Sequence, residues 1–512
     1  MIIEIKNETD LEDIENQDII IVGAGTIGLY LANRLNKEND DLNILIIEYG
    51  NENANSSQNE YHSESIGKKH IGTIDGRAIG IGGTSTLWGG QLAEFEEADF
   101  KEWPIKYSDI KKYYAKVYAE LGLEGALSDQ DYQKCINGDI ENDFDIEHLY
   151  TRWLNQPNFY EFFKEIIHKN KNIRIIKNTT VNNISLNKNM ATSVECIASN
   201  SFKYNLDGKK FVFANGTLGI NQFFLSTAEL STVPWKKNSM LGRYFQDHLA
   251  AVVGTLSLKN KILFRQLYEN RWINGIKIQP KLKLSKNARS YKKNGVVLFF
   301  SFKSKFEDSL VRIKSVIKNP SKIINLKTMS VFLKDIYIIR KSILISIYKL
   351  LFKKRIHAIF DNQKSIEINI QSEQIPNENS KITLDKGKKL KTGLYKTKTD
   401  WTFNGEEEEA IKDLCMNVNK FFKKIGVGEI EFNKDIYDNL KCNFRDTNHQ
   451  CGGMKMSFHE NDGVVDKNCK VWSTENIWIA GAAVFPSSSH ANTTLTALAL
   501  CEKMIKELTI QK

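Results

Sequence analysis

Residues 18–48 constrain the chain more than any other stretch. Ile19, Ile20, Ile21 and Val22 form a short β-branched run, as a strand buried on both faces requires. Gly23-Ala24-Gly25-Thr26-Ile27-Gly28 follows at once, and then a helical pattern through Leu29, Leu31, Ala32 and Leu35. Residues 43–47 read as a second buried strand, and Glu48 stands twenty residues beyond Gly28. Each part has a physical task. Gly23 permits the tight turn, Gly25 lets the backbone approach a pyrophosphate, and Gly28 lets the helix pack close on the sheet. The helix N-terminus offers free N–H groups to phosphates, and Glu48 suits ribose hydroxyls. The unit predicts dinucleotide binding, and its acid favours FAD or NAD over NADP.

A second glycine-rich stretch runs from Arg77 through Gly80, Gly82, Gly83, Thr84, Ser85, Leu87, Trp88, Gly89 and Gly90 to Gln91. Five glycines in eleven residues are too many for a helix or regular strand, and such backbone wraps a ligand closely. Ile79, Ile81, Leu87 and Trp88 are too apolar for a solvated linker, and no charge falls between Gly80 and Gln91.

The 512 residues fit about three domains or one large two-domain enzyme. With 41% hydrophobic residues the chain has material for large cores, which excludes a disordered or low-complexity chain. The longest charge-free run, 476–501, is broken by Pro486, His490, Asn492, serines and threonines, so it is no membrane span. Residues 1–17 are polar and acidic, unlike a secretory signal. Seven scattered cysteines without a CxxC pair speak against a disulfide framework or zinc site and fit a reducing cytoplasm. No spacing suggests a metal site.

Residues 172–176 read as a further parallel strand, 180–213 as three short strands, and 218–226 as helix. Residues 241–248, with Tyr244 and Phe245, form a compact loop that His248 closes and braces. Residues 250–310 alternate as sheet, 365–370 alternate again, and 406–424 form an amphipathic helix. Near the end, His449 precedes Gly452 and Gly453, and 476–480 is a buried strand. Residues 481–494 leave it as a loop and open a helix over 495–508. The end of a parallel strand leading into a helix N-terminus is where α/β folds bind ligands.

These motifs, in this order, resemble the glucose–methanol–choline (GMC) oxidoreductases, FAD-dependent alcohol oxidases and dehydrogenases. Residues 18–126, 165–250 and 440–510 carry the likeness, which includes Trp103-Pro104-Ile105 and the Val484-Phe485-Pro486 to Asn492 run. The resemblance implies an α/β fold. A Rossmann-like FAD-binding domain, a parallel sheet with a three-stranded β-meander, takes 1–126, 165–250 and 440–512. An α+β substrate domain with an antiparallel sheet takes 251–439, with a basic helical insertion at 312–355. It implies FAD at Gly23, Gly25, Gly28, Glu48, Gly83, Thr84, Ser85, Trp88, Gly89, Gly90, Val181, Ala214, Gly481, Ala482 and Thr493. It makes His449 the base that removes the hydroxyl proton while hydride goes to flavin N5, with Asn492 orienting the substrate. Histidine suits this work, because a neutral imidazole accepts a proton near neutral pH. His490 and Gln91 are weaker candidates for substrate contact. The chain departs from the family where some members attach the flavin to histidine: Leu87 stands there, so FAD is expected without a covalent bond. Thr493 replaces a frequent proline, and Gly481 a frequent aspartate.

The expected activity is oxidation of a CH–OH group, of a sugar or glycoside, with electrons passing to an unidentified acceptor. Two other readings stand beside it: a flavin-dependent lipid reductase or desaturase at a membrane surface, and a flavoprotein without turnover. The second would have lost the histidine or the asparagine, and both are present.

The net charge is +9, yet 312–355 holds twelve Lys/Arg and one acid, Asp335, more than the whole excess. With no nucleic-acid-binding motif, this charge does not point to nucleic acid. Lys334, Lys341, Ser342, Ser346, Lys349 and Lys353 mark one helical stripe opposite a broad apolar face, with Arg340 off the stripe. Such a helix suits a lid, a subunit contact, or the surface of anionic lipid, which would seat a cytoplasmic enzyme peripherally on the inner face of the cytoplasmic membrane.

Overall fold

The computed structural model describes the chain except residues 13, 15–16, 55–62, 138–143, 289, 292, 319–325, 354–362 and 511–512. An eight-stranded sheet forms the first half of the architecture. Its parallel part orders Ile2–Ile3, Ile173–Ile176, Ile44–Ile47, Gln17–Val22 and Lys203–Phe213, with Ile477–Ile479 also on Lys203–Phe213. Ile19, Ile20, Ile21 and the whole of Ile44–Ile47 are buried, with the helix Thr26–Glu38 packed on both strands and Thr179–Asn187 packed against Ile44–Ile47. Each such side chain contributes about 1.5–3 kcal/mol by leaving water. Thr179–Asn187, Met190–Ala198 and the first half of Lys203–Phe213 pair antiparallel as a three-stranded meander.

The second sheet is antiparallel, in the order Gly428–Phe432, Leu249–Leu258, Gln363–Ser372, Val296–Ser304, Ile276–Leu284, Ile146–Trp153 and Gln91–Leu92. Ile146–Trp153 comes from a stretch left outside every expected domain, yet it pairs with Ile276–Leu284 along its whole length. One face of this sheet is apolar: Leu282, Leu284, Leu298, Phe300, Ile368 and Ile370 pack with the helix Glu408–Lys424. The other face carries Thr151, Gln279, Lys281, Lys283, Asn369 and Gln371, polar yet half-buried or buried. On that face Gln371 donates to the His490 carbonyl of the closing loop.

The basic segment forms two helices, Glu307–Lys318 and Leu326–Lys353, packed on each other. Arg312 pairs with Asp335 at 2.7 Å across them. Residues 319–325 and 354–355 of that segment, and the side chains of Ser342, Ser346, Lys349 and Lys353, lie outside what is described. Met329, Leu333, Tyr337, Leu344, Ile347, Tyr348 and Leu351 are exposed. At 100° per residue they lie opposite the inward Asp335 and Ile339. The apolar face points away from the other described residues. No helix among the described residues is long and apolar enough to cross a membrane.

Candidate active site

A cavity of about 710 Å³ opens where the parallel strands end. Three helices begin at its edge: Thr26–Glu38 behind Gly25, Gly216–Leu230 behind Asn215, and Thr493–Thr509 behind Asn492. Their free N–H groups and dipoles make the wall attractive to a diphosphate. Glycine makes room for close approach. A Cβ on Gly83 would lie 2.8 Å from the Gly25 backbone, and Gly83 has φ +51°. A Cβ on Gly28 would lie 1.9 Å from the Gly23 carbonyl oxygen, so that glycine serves helix-on-strand packing. Glu48 is buried at the rim. It accepts N–H bonds from Ala24, Gly50 and Gly80. Burial raises its carboxyl, against those three bonds. The volume, the helix ends, the glycine cradle and the buried Glu48 fit a flavin dinucleotide.

Gly23, Gly25, Glu48, Gly83, Thr84, Ser85, Trp88, Val181, Ala214, Gly481, Ala482 and Thr493 all line this cavity, as does His449. Gly28, Gly89 and Gly90 stand behind its wall: a Cβ on Gly89 would meet the Trp153 ring at 2.8 Å, and Gly90 accepts the Leu154 N–H. Leu87 lines the cavity and is 49% exposed. Asn492 lies just outside the lining residues. Its Nδ2 donates to the Gln91 carbonyl at 3.2 Å. The Gln91 side chain donates to Thr151 and Gln279 on the second sheet, both at 2.6 Å. His490 is buried, lines a separate cavity of about 460 Å³, and has no hydrogen-bond partner on either ring nitrogen among the described residues. Burial pushes its imidazole down to about 4. The closing loop is held by Ser487, whose hydroxyl donates to the Asp99 carbonyl and accepts from Trp103 Nε1.

The surroundings of His449 are richer than the sequence suggested. Its Nδ1 lies 2.7 Å from Thr447 Oγ1 and 3.0 Å from His248 Nδ1. These contacts fix the proton positions. His248 Nε2 faces the Ser488 carbonyl at 3.3 Å, and a carbonyl only accepts, so His248 carries its proton there and its Nδ1 is a bare acceptor. Thr447 gives its hydroxyl proton to Asp247, so its oxygen also accepts. His449 therefore donates from Nδ1, and its Nε2 is left bare. Asp247 is fully buried and also accepts the backbone N–H groups of His248, Thr447 and His449. Burial works to raise this carboxyl. The hydrogen bond and charge of His70, with the fields of His449 and His248, outweigh burial and hold it at about 2. Burial lowers the His449 imidazole, the Asp247 carboxylate opposes that, and Lys281 adds to the lowering.

Asp247, His70 and Thr447 were not singled out by the sequence, and His248 is more than a brace for its loop. The signal was the Gln246-Asp247-His248 run, whose role depends on residues 200 positions away. His70, Asp247 and Asp446 come together, but Asp446 spends its oxygens on the Ile71 and Gly72 N–H groups.

Residues 376–501 match the profile of the GMC oxidoreductase family. No curated protein matches the sequence. Among solved structures, pyridoxine 4-oxidase from Mesorbium loti is similar at a TM-score of 0.58 and 14% identity, over 96% of this chain and 99% of that one. A fungal aryl-alcohol oxidase is similar at 0.56 and 13%, over 96% and 99%. An FAD-dependent oxidoreductase from Chaetomium thermophilum is similar at 0.57 and 14%, over 96% and 98%. At such identities these likenesses show the fold.

Proposed function

Since the chain carries the GMC oxidoreductase domain over 376–501, on a fold shared along its length with oxidases of this kind, we propose that it is an FAD-dependent oxidoreductase acting on a CH–OH group. The observation that carries this reading is His449, its Nδ1–H engaged by Thr447 and His248 and its Nε2 bare, on the wall of the dinucleotide cavity. The helix starts at Thr26, Gly216 and Thr493 would hold the diphosphate of FAD, and Glu48 would meet its ribose. Bound FAD supplies the hydride acceptor. His449 Nε2 takes the hydroxyl proton of the substrate, and the buried Asp247 carboxylate stabilises the imidazolium that results. Asn492, tethered to Gln91, holds the substrate oxygen and aims its C–H bond. The amides and hydroxyls of Gln91, Thr151, Gln279, Asn369 and Gln371 on the second sheet support a sugar or glycoside as substrate, since each can donate to or accept from a hydroxyl.

Anaerobic mixing with sugars, polyols and lipid alcohols tests the activity: bleaching of the flavin by a sugar is expected, and no bleaching by any alcohol would end the reading. Leu87 supports non-covalent FAD. Acid precipitation should release all the yellow colour, and colour kept in the pellet would refute it.

The same reading gives the helix Leu326–Lys353 a peripheral seat on the inner face of the cytoplasmic membrane. Its outward apolar face, flanked by the exposed Lys327, Lys334 and Lys341, fits an anionic lipid surface better than a lid. Each cation near such lipid adds about 1 kcal/mol. Co-sedimentation with anionic but not neutral liposomes, weakened by salt and by Leu344→Glu, is the expected result. Equal recovery in every supernatant would exclude it.

A further inference from the structure

On the strand Ile276–Leu284, Gln279, Lys281 and Lys283 share one face, the side on which Gln279 meets Gln91, whose carbonyl in turn holds Asn492. Their circumstances differ. Gln279 is held by Gln91 at 2.6 Å. Lys283 is paired with Glu96 and with Glu147 at 3.2 Å. Lys281 lies between them, only 4% exposed, and its ammonium sits 4.7 Å from the centre of the Phe299 ring. Among the described residues, no carboxylate pairs with it. Burial is the one influence on its basicity and lowers it to about 8, so the ammonium still predominates at neutral pH. Its field reaches His449 and His490.

A buried cation without an anion is costly, and a ligand that brings the missing charge would offset that cost. A flat aromatic ring steadies the ammonium without neutralising it. The nearby imidazoles do not share the task, because burial keeps both His248 and His490 uncharged at neutral pH. One unpaired positive charge calls for one negative charge, which matches a carboxylate better than a phosphate.

We infer that Lys281 seats a carboxylate of the substrate, so that the alcohol oxidised at His449 is a hydroxy acid, and among sugars an acidic one. The inference rests on the oxidoreductase reading above, and it narrows the substrate class. Gln91 and Gln279 then lie between the two ends of the molecule, where they meet its remaining hydroxyls.

The test uses flavin-loaded protein and matched pairs: glucuronate against glucose, and glycolate against ethylene glycol. Flavin reduction is followed anaerobically, and binding by perturbation of the flavin spectrum with acetate or inorganic phosphate. In the wild type, each acid should be favoured over its neutral partner by about tenfold or more in reduction rate at low concentration, the scale of one charge-assisted contact. Lys281→Met should erase that ratio and the acetate-induced spectral change, and Lys281→Arg should keep both. A wild type that treats acid and neutral partners alike, or a Lys281→Met protein that keeps the ratio, overturns the inference. Phosphate binding more tightly than acetate also overturns it in favour of a phosphorylated substrate. If no alcohol bleaches the flavin but acetate perturbs it through Lys281, the anion site stands and the oxidoreductase reading fails.

Discussion

The cofactor cavity and the polar sheet face beside it are built from different materials. The cofactor wall is backbone: glycines at 23, 25 and 83, and three helix starts. The neighbouring sheet face is side chain: Gln91, Thr151, Gln279, Lys281 and Gln371, set on four strands. A backbone wall tolerates no bulk and reads as short runs of glycine. A side-chain wall tolerates exchange and leaves no run to read. The first kind binds one invariant ligand, and the second selects among many.

Four measurements would break or sharpen this contrast. Gly83→Val should have the largest effect. Its Cβ would press on the Gly25 backbone in a left-handed conformation, so the protein should purify colourless; full FAD content would show that the cradle is not tight. His449→Ala comes next. Flavin reduction should slow by on the order of 10²-fold with FAD content unchanged, the scale of a lost general base, and a wild-type rate would remove His449 from the chemistry.

The third measurement is acid stability. His148, His248 and His490 are buried neutral, with imidazoles lowered by burial to about 4, 3 and 4. The unfolded chain binds their protons near pH 6.5, so below that pH it holds more protons than the folded chain. Stability from these groups is complete above about pH 6.5 and is lost as the pH falls toward 4. Tm should drop across that window, and His148→Gln, remote from the flavin, should flatten the drop. A Tm constant from pH 7 to 4.5 would contradict the burial. The smallest effect belongs to Gln279→Leu, which should raise KM for the best sugar by a few-fold, the scale of one neutral hydrogen bond, and leave kcat nearly unchanged. A large fall in kcat would mean that the polar sheet face takes part in catalysis.

The same contrast explains what could be read from sequence. The strand, glycine turn, helix and acid of residues 17–48 were legible because they are contiguous and each residue type answers one steric need. The three strands over 180–213 were legible as short runs separated by turns. Ile146–Trp153 was not, because its partner, Ile276–Leu284, lies more than 120 residues on and nothing local announces the pairing. The Asp247–Thr447–His449 chain was hidden for the same reason: two loops 200 residues apart meet only when both sheets are built. Lys281 carried no signal of its own within the alternating stretch 250–310, since burial without a partner is a property of the folded molecule alone.

The chain crosses repeatedly between its sheets, and Ile477–Ile479 joins the first sheet beside a strand laid down by residue 213. The ribosome must therefore deliver almost the whole polypeptide before the Thr493 helix can close the cavity. At about 5–20 residues per second, the glycine cradle waits more than about 20 seconds for its last wall. Through that interval the early strands hold an unfinished apolar surface that invites chaperones, and flavin loading becomes a step that follows synthesis. Cofactor supply in the cell would then govern how much of the newly made protein survives, as well as how much of it is active.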